Sequence, residues 1–165
     1  MNGIRHTGRQ NKPEEREGQS MNLYRMQEAE HQRRVNDFLS KYAFFAFDEN
    51  QFNEGLAKLG IAPGTEGALV SIPGGGYLLA DRGQELKDLL RQNSQERADA
   101  IRDTDTGPQF AYDMFRAALN DTEYSYSEDE EDALQRLGYS MQDIESDPIL
   151  KPAFDKACRD ILQKE

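Results

Sequence analysis

The chain has 165 residues, 31 of them Asp or Glu and 20 Lys or Arg, giving a net charge of −11 and a pI near 4.7. Such a field repels nucleic-acid phosphates and anionic membranes and attracts basic protein surfaces. A single cysteine, Cys158, excludes an internal disulfide, and no stretch approaches the ~20 apolar residues of a membrane helix, so a cytoplasmic protein is expected.

Residues 1–20 are rich in Gly, Asn, Gln and charge, with Ile4 the one large aliphatic besides Met1. Such a composition cannot offset ordering entropy and reads as a disordered tail without a secretory signal. Residues 21–165 read as one acidic domain. Residues 21–42 lack Gly and Pro and form a helix with apolar positions Leu23, Met26, Val35, Phe38, Leu39 and Tyr42; its middle, Gln27–Arg34, is almost wholly polar, so the last two turns should pack while the first turns project. Ala43-Phe44-Phe45-Ala46-Phe47 then reads as a buried strand. Asp48 and Gln51 have the spacing of a capping box before a helix over 49–59 that buries Phe52, Leu56 and Leu59.

Residues 68–72 and 77–80 are β-prone runs separated by Pro73-Gly74-Gly75-Gly76, which predicts a hairpin. Asp81 is placed to cap a helix reaching about residue 102, with a stripe of Leu86, Leu89, Leu90, Ala98 and Ile101. A helix over 109–119 follows. Tyr124-Ser125-Tyr126 suggests a short edge strand, and Ser127 a cap for an acidic helix over 128–137 that Gly138 ends. Ser140–Glu145 is a helical turn, and Asp147-Pro148 opens a last helix to about Leu162. The fold class is α+β: three to four short strands in a small antiparallel sheet packed with about six helices.

The sequence patterns that suggest catalysis are better explained by structure. Gly74-Gly75-Gly76 precedes a strand-like run, whereas a phosphate loop opens a helix. Asp103-Thr104-Asp105 resembles the start of a calcium loop, but Pro108 and Met114 stand where that loop needs Gly and Glu. His6 and His31 share no metal-ligand spacing with Cys158, which reads as a core residue. The phenylalanines Phe44, Phe45, Phe47 and Phe52 lack the Lys and Arg of a base-stacking platform. No catalytic residue, metal or cofactor is expected.

The charge is uneven. Residues 1–42 hold eight basic and six acidic residues, whereas the stretch 121–148 holds ten acidic residues and one base, Arg136. The expected partner-binding residues are Asp121, Glu123, Glu128, Asp129, Glu130, Glu131 and Asp132, with Tyr124 and Tyr126 as aromatic anchors. A helix start also favours Glu and Asp at 128–132, so a plain solvated helix face explains part of the pattern.

The stretch Lys41–Phe47 with Gln51-Phe52-Asn53-Glu54-Gly55, together with Gly74–Tyr77, Leu119–Tyr126 and Asp132-Ala133-Leu134, resembles an uncharacterised family of small proteins of phages and mobile elements of gut bacteria. The resemblance covers about residues 41–140 and assigns no catalytic residue. Relatives of this pattern often carry His or Cys near Glu123-Tyr124, where this chain has Thr122 and Ser125. The resemblance implies a counter-defence role: an anti-CRISPR protein that mimics nucleic acid and occupies the basic groove of a Cas9-type nuclease. The alternative is a structural or regulatory module of a mobile element acting through its N-terminal helix and Arg33-Arg34.

Overall fold

The computed structural model describes residues 22–163, so the expected 1–20 tail and Met21 lie outside the described residues. Among the described residues, eight α-helices accompany one three-stranded antiparallel sheet, and the α+β expectation holds.

Helix α1 (Leu23–Tyr42) starts where Asn22 Oδ1 accepts from the Arg25 N–H at 3.0 Å. Its first turns do not project, contrary to expectation. Tyr24 is buried and meets Phe110 edge-on, with ring centroids 5.7 Å apart. Leu23 and Met26 beside it stay exposed, and the Tyr24 ring alone docks the turn, because a single buried ring removes a large apolar area from water. Arg33 and Arg34 are ion-paired: Arg33 with Glu30 and Asp37, and Arg34 with Glu30 and, at 2.6 Å, Glu96. His31 Nε2 lies 2.8 Å from the same Glu96 carboxylate.

Strand β1 (Ala43–Phe45) is followed by α2 (Glu49–Lys58), whose Asp48 cap accepts from the Gln51 N–H at 2.7 Å. Strands β2 (Leu69–Ile72) and β3 (Gly76–Leu79) form the expected hairpin, and the sheet order is β1-β3-β2. The buried strand expected over 43–47 is instead an edge. Ala43 and Phe44 are covered, but Phe45 is half exposed and Phe47 is 81% exposed. The alternation of a pleated strand and the position at the sheet edge leave only part of the run a partner to pack on. Phe44, Phe52 and Tyr77 form one aromatic cluster between α2 and the sheet, with centroids 5.0–5.6 Å apart.

A 3-10 turn (Ala80–Arg82) absorbs Asp81, so Asp81 does not cap α3 (Gly83–Ile101). The inner face of α3 is Leu86, Leu89, Asn93 and Ile101, while Leu90 and Ala98 face outward. Asn93 replaces an apolar residue there because its Oδ1 accepts from Arg34 Nη1, at 3.3 Å. Helix α4 (Gly107–Asp121) is the central element, burying Phe110, Ala111, Met114, Phe115, Ala118 and Leu119. The Asp103 carboxylate accepts from the Asp105 and Thr106 N–H groups and shapes the turn before α4. Helix α8 (Leu150–Leu162) lies against α4 and buries Ala153, Phe154, Ala157 and Ile161, with Phe154 edge-on to Phe115. Asp147 opens α8 by accepting from the Ile149 and Leu150 N–H groups. Cys158 is half-buried beside this core and not at its centre.

Candidate partner-binding surface

The acidic segment falls on α4, three short helices and the joints between them. Helix α4 ends at Asp121. The backbone then enters the left-handed region at Glu123, with φ +58°. A single helical turn α5 (Tyr124–Ser127) follows and ends on a second left-handed residue, Glu128, with φ +52°. These are the two non-glycine residues with positive φ among the described residues. Each costs on the order of 1 kcal/mol against a glycine in the same place.

The expected strand over 124–126 is therefore a helical turn. The Tyr126 and Ser127 N–H groups donate to the Glu123 carbonyl, and the Glu128 N–H donates to that of Tyr124 at 2.8 Å. The expected acidic helix is also shorter: α6 spans Glu131–Leu137. Ser127 does not cap it. The Ser127 hydroxyl accepts from the Asp129 N–H at 3.1 Å, and the Asp129 carboxylate accepts from the Glu131 N–H at 2.9 Å. A serine turn and an Asx turn thus replace the first helical turn. Gly138 ends α6 with φ +79°, as expected. Ser140 and Asp143 form a reciprocal capping box for α7 (Met141–Glu145).

The two tyrosines separate. Tyr124 is 8% exposed within the main core cluster, so it is part of the core and not an anchor. Burial and the Cys158 contact push its phenol up to about 12. Burial also raises the Cys158 thiol, which opposes thiolate chemistry there. Tyr126 is 85% exposed at the surface of the α5 turn.

The carboxylates separate as well. Asp129, Glu130 and Glu131 share the lining of an open groove of about 490 Å³ with Leu134, Tyr139 and Met141. Asp121 lines a different cleft, of about 200 Å³, together with Tyr24, Glu28, Arg97 and Arg136. Glu123, Glu128 and Asp132 are exposed and line neither. Tyr139 and Met141 were absent from the sequence-based set. The signal that locates them is Gly138 followed by Ser140-Met141-Gln142-Asp143, a helix stop and a capping box that turn the chain back beside α6. Glu131 and Asp132 lie in the first turn of α6, where the helix dipole favours them.

Among the described residues, no three His, Cys, Asp or Glu side chains come together as a metal-ligand group, and no helix is long and apolar enough to cross a membrane. No curated protein and no solved structure matches the chain. A family model described as a family of unknown function (DUF7659) matches residues 23–160, from the first residue of α1 to the last turns of α8. That match spans every helix and strand described above except the last two residues of α8, and the chain belongs to the DUF7659 family.

Proposed function

We propose that the protein is a non-enzymatic binding protein that docks the Asp129–Glu131 groove on a basic surface of a partner protein. The observation that carries this reading is the composition of the groove: three carboxylates beside the apolar surface of Leu134, Tyr139 and Met141. A Lys or Arg side chain needs both. Its head pairs with carboxylate and its methylene stem lies on apolar surface. Tyr126, exposed on the preceding turn, supplies a ring of the kind that anchors interfaces.

The resemblance noted from the sequence gives the reading its finest form. The chain would be an inhibitor from a phage or mobile element that acts inside the bacterial cell on a Cas9-type defence nuclease. Its carboxylates would stand in for phosphates in the basic groove. The alternative, a module acting through the basic pair of α1, is disfavoured because Arg33 and Arg34 are already ion-paired within the fold.

The test is capture from host lysate at about 0.1 M and about 1 M salt, where the screening length falls from ~10 Å to ~3 Å. The bait is the native chain beside a triple variant, Tyr126→Ala, Glu130→Gln, Glu131→Gln, which keeps Asp129 because it caps the Glu131 N–H. A basic protein held at low salt by the native chain alone supports the reading. A partner held equally by the folded variant overturns the surface assignment. Loss of DNA cleavage when the native chain is added to a guide-loaded Cas9-type nuclease supports the finer form, and undiminished cleavage removes it.

A further inference from the structure

A second cleft lies where α1, α3, α4 and α6 meet, and it shares no residue with the acidic groove. It measures about 200 Å³ and takes Glu28 from α1, Arg97 from α3, Asp121 from α4 and Arg136 from α6. Two cations and two anions therefore face one small space. Among the described residues none of the four is ion-paired, although Arg34 and His31, also on α1, close together on Glu96. Arg97 is held to the wall by another bond: its Nη2 donates to the Leu137 carbonyl at the end of α6, at 3.0 Å.

Tyr24 supplies a second observation. It is 8% exposed with its ring on Phe110, yet its hydroxyl makes no hydrogen bond among the described residues. Buried hydroxyls are normally partnered. No polar side-chain atom of the described residues is sealed inside without a partner, so this hydroxyl is open, and Tyr24 lines the cleft. Burial first, then the Glu28 charge, push the phenol up to about 12, with Arg97 opposing. The hydroxyl is thus neutral, unused and under the influence of the Glu28 side of the cleft.

This lining selects among ligands. A simple anion suits Arg97 and Arg136 but meets Glu28 and Asp121, and a simple cation meets the reverse. An apolar ligand strips water from four charges and pairs none of them. A molecule with one anionic and one cationic group satisfies all four, and guanidinium groups offer a carboxylate bidentate bonds. The cleft is smaller than the ~300–1,000 Å³ of pockets for drug-sized ligands, so the molecule has few heavy atoms. We propose that this cleft binds a free α-amino acid, with its carboxylate on Arg97 and Arg136, its ammonium between Glu28 and Asp121, and the Tyr24 hydroxyl accepting from the ammonium.

The experiment is calorimetric titration of the full chain with each of the standard L-amino acids, at concentrations that detect a Kd of about 1 mM. An amino acid that binds is retested as its methyl ester, which lacks the carboxylate, and as its N-acetyl form, which lacks the ammonium. The variants are Glu28→Gln and Arg136→Gln, both at exposed positions, and Tyr24→Phe, which keeps the ring and removes the hydroxyl. The expected result is binding of at least one amino acid, weakened about tenfold or more by each charge variant and each blocked form. Tyr24→Phe should weaken it several-fold, and all three variants should keep the melting transition. Should one charge variant unfold, the other and the two blocked forms decide. Binding of no amino acid overturns the proposal, as does equal binding by the native chain and the folded charge variants, or equal binding of the blocked forms.

Discussion

The Phe44 ring lies against the backbone of Gly55, so closely that a Cβ on Gly55 would sit 2.1 Å from Phe44 Cδ2. Gly55 is the point where α2 closes on the sheet, and the helix can approach because this residue has no side chain. A methyl group there must push the ring out of its cluster with Phe52 and Tyr77. Gly55→Ala is expected to destabilise the fold by roughly 2–3 kcal/mol, although alanine is the better helix former. A melting curve checks this, with an expected fall of roughly 5–10 °C. An unchanged or higher melting temperature would show that α2 does not sit on Phe44 in this way.

Acid should loosen the joint between α3 and α8. Asp147 accepts from Nη1 and Nη2 of Arg102 and from two N–H groups at the start of α8. These contacts hold its carboxyl down at about 2, with the Arg102 bond the largest cause, below the 3.8 of an unperturbed Asp. A carboxyl lowered by folding stabilises the native state above the unfolded value, near pH 4. That contribution is lost as pH falls toward 2. Arg102 is half exposed, so screening leaves on the order of 1 kcal/mol. Denaturant unfolding at pH 6 and near pH 2.5 should show a smaller drop in Asp147→Asn than in the native chain. An equal drop in both would remove Asp147 as a source of acid sensitivity.

The turn that carries Tyr126 is bounded by two left-handed glutamates, Glu123 and Glu128. Glycine adopts that backbone without strain, whereas alanine shares the Cβ that glutamate carries. Comparing Glu128→Gly with Glu128→Ala cancels the lost charge. The glycine variant is expected to be more stable by about 1 kcal/mol, against the usual order for a residue in ordinary backbone. Chemical denaturation measures the difference. Alanine equal to or better than glycine would contradict the left-handed geometry at this joint.

Removing the Tyr24 ring should cost far more than a change in a projecting turn would. Tyr24→Ala is expected to lose roughly 3 kcal/mol, as buried rings do, because the ring packs on Phe110 inside the main core. A loss below about 1 kcal/mol, of the size usual for surface positions, would mean that the first turns of α1 project after all.

Much of the fold could be read from local signals. The Asp48 cap of α2, Gly138 after α6, the helical turn after Ser140 and the Pro73–Gly76 turn each act over a few residues and stand where the pattern placed them, although Gln51 does not complete a box with Asp48: its Oε1 accepts from the Phe47 N–H at 2.8 Å. Three things were not legible. The burial of Tyr24 has no local signal, because its partner Phe110 is far away in sequence. Tyr124-Ser125-Tyr126 has strand composition, but the left-handed joint at Glu123 restarts a helix there, and composition does not report backbone handedness. Two tyrosines two apart looked equivalent, and only tertiary packing separates buried Tyr124 from exposed Tyr126. Of the nine acidic and aromatic residues singled out, Asp129, Glu130 and Glu131 share one groove, because a turn in the chain brings Tyr139 and Met141 beside them.

The most direct measurement is the affinity of the native chain and of the Tyr126→Ala, Glu130→Gln, Glu131→Gln variant for the same captured basic partner, by titration at low and high salt. Binding through the groove should make the native complex weaken steeply with salt and the folded variant bind at least tenfold more weakly at low salt, a loss of about 1.4 kcal/mol or more. Equal affinity for both chains, or an affinity indifferent to salt, would contradict it.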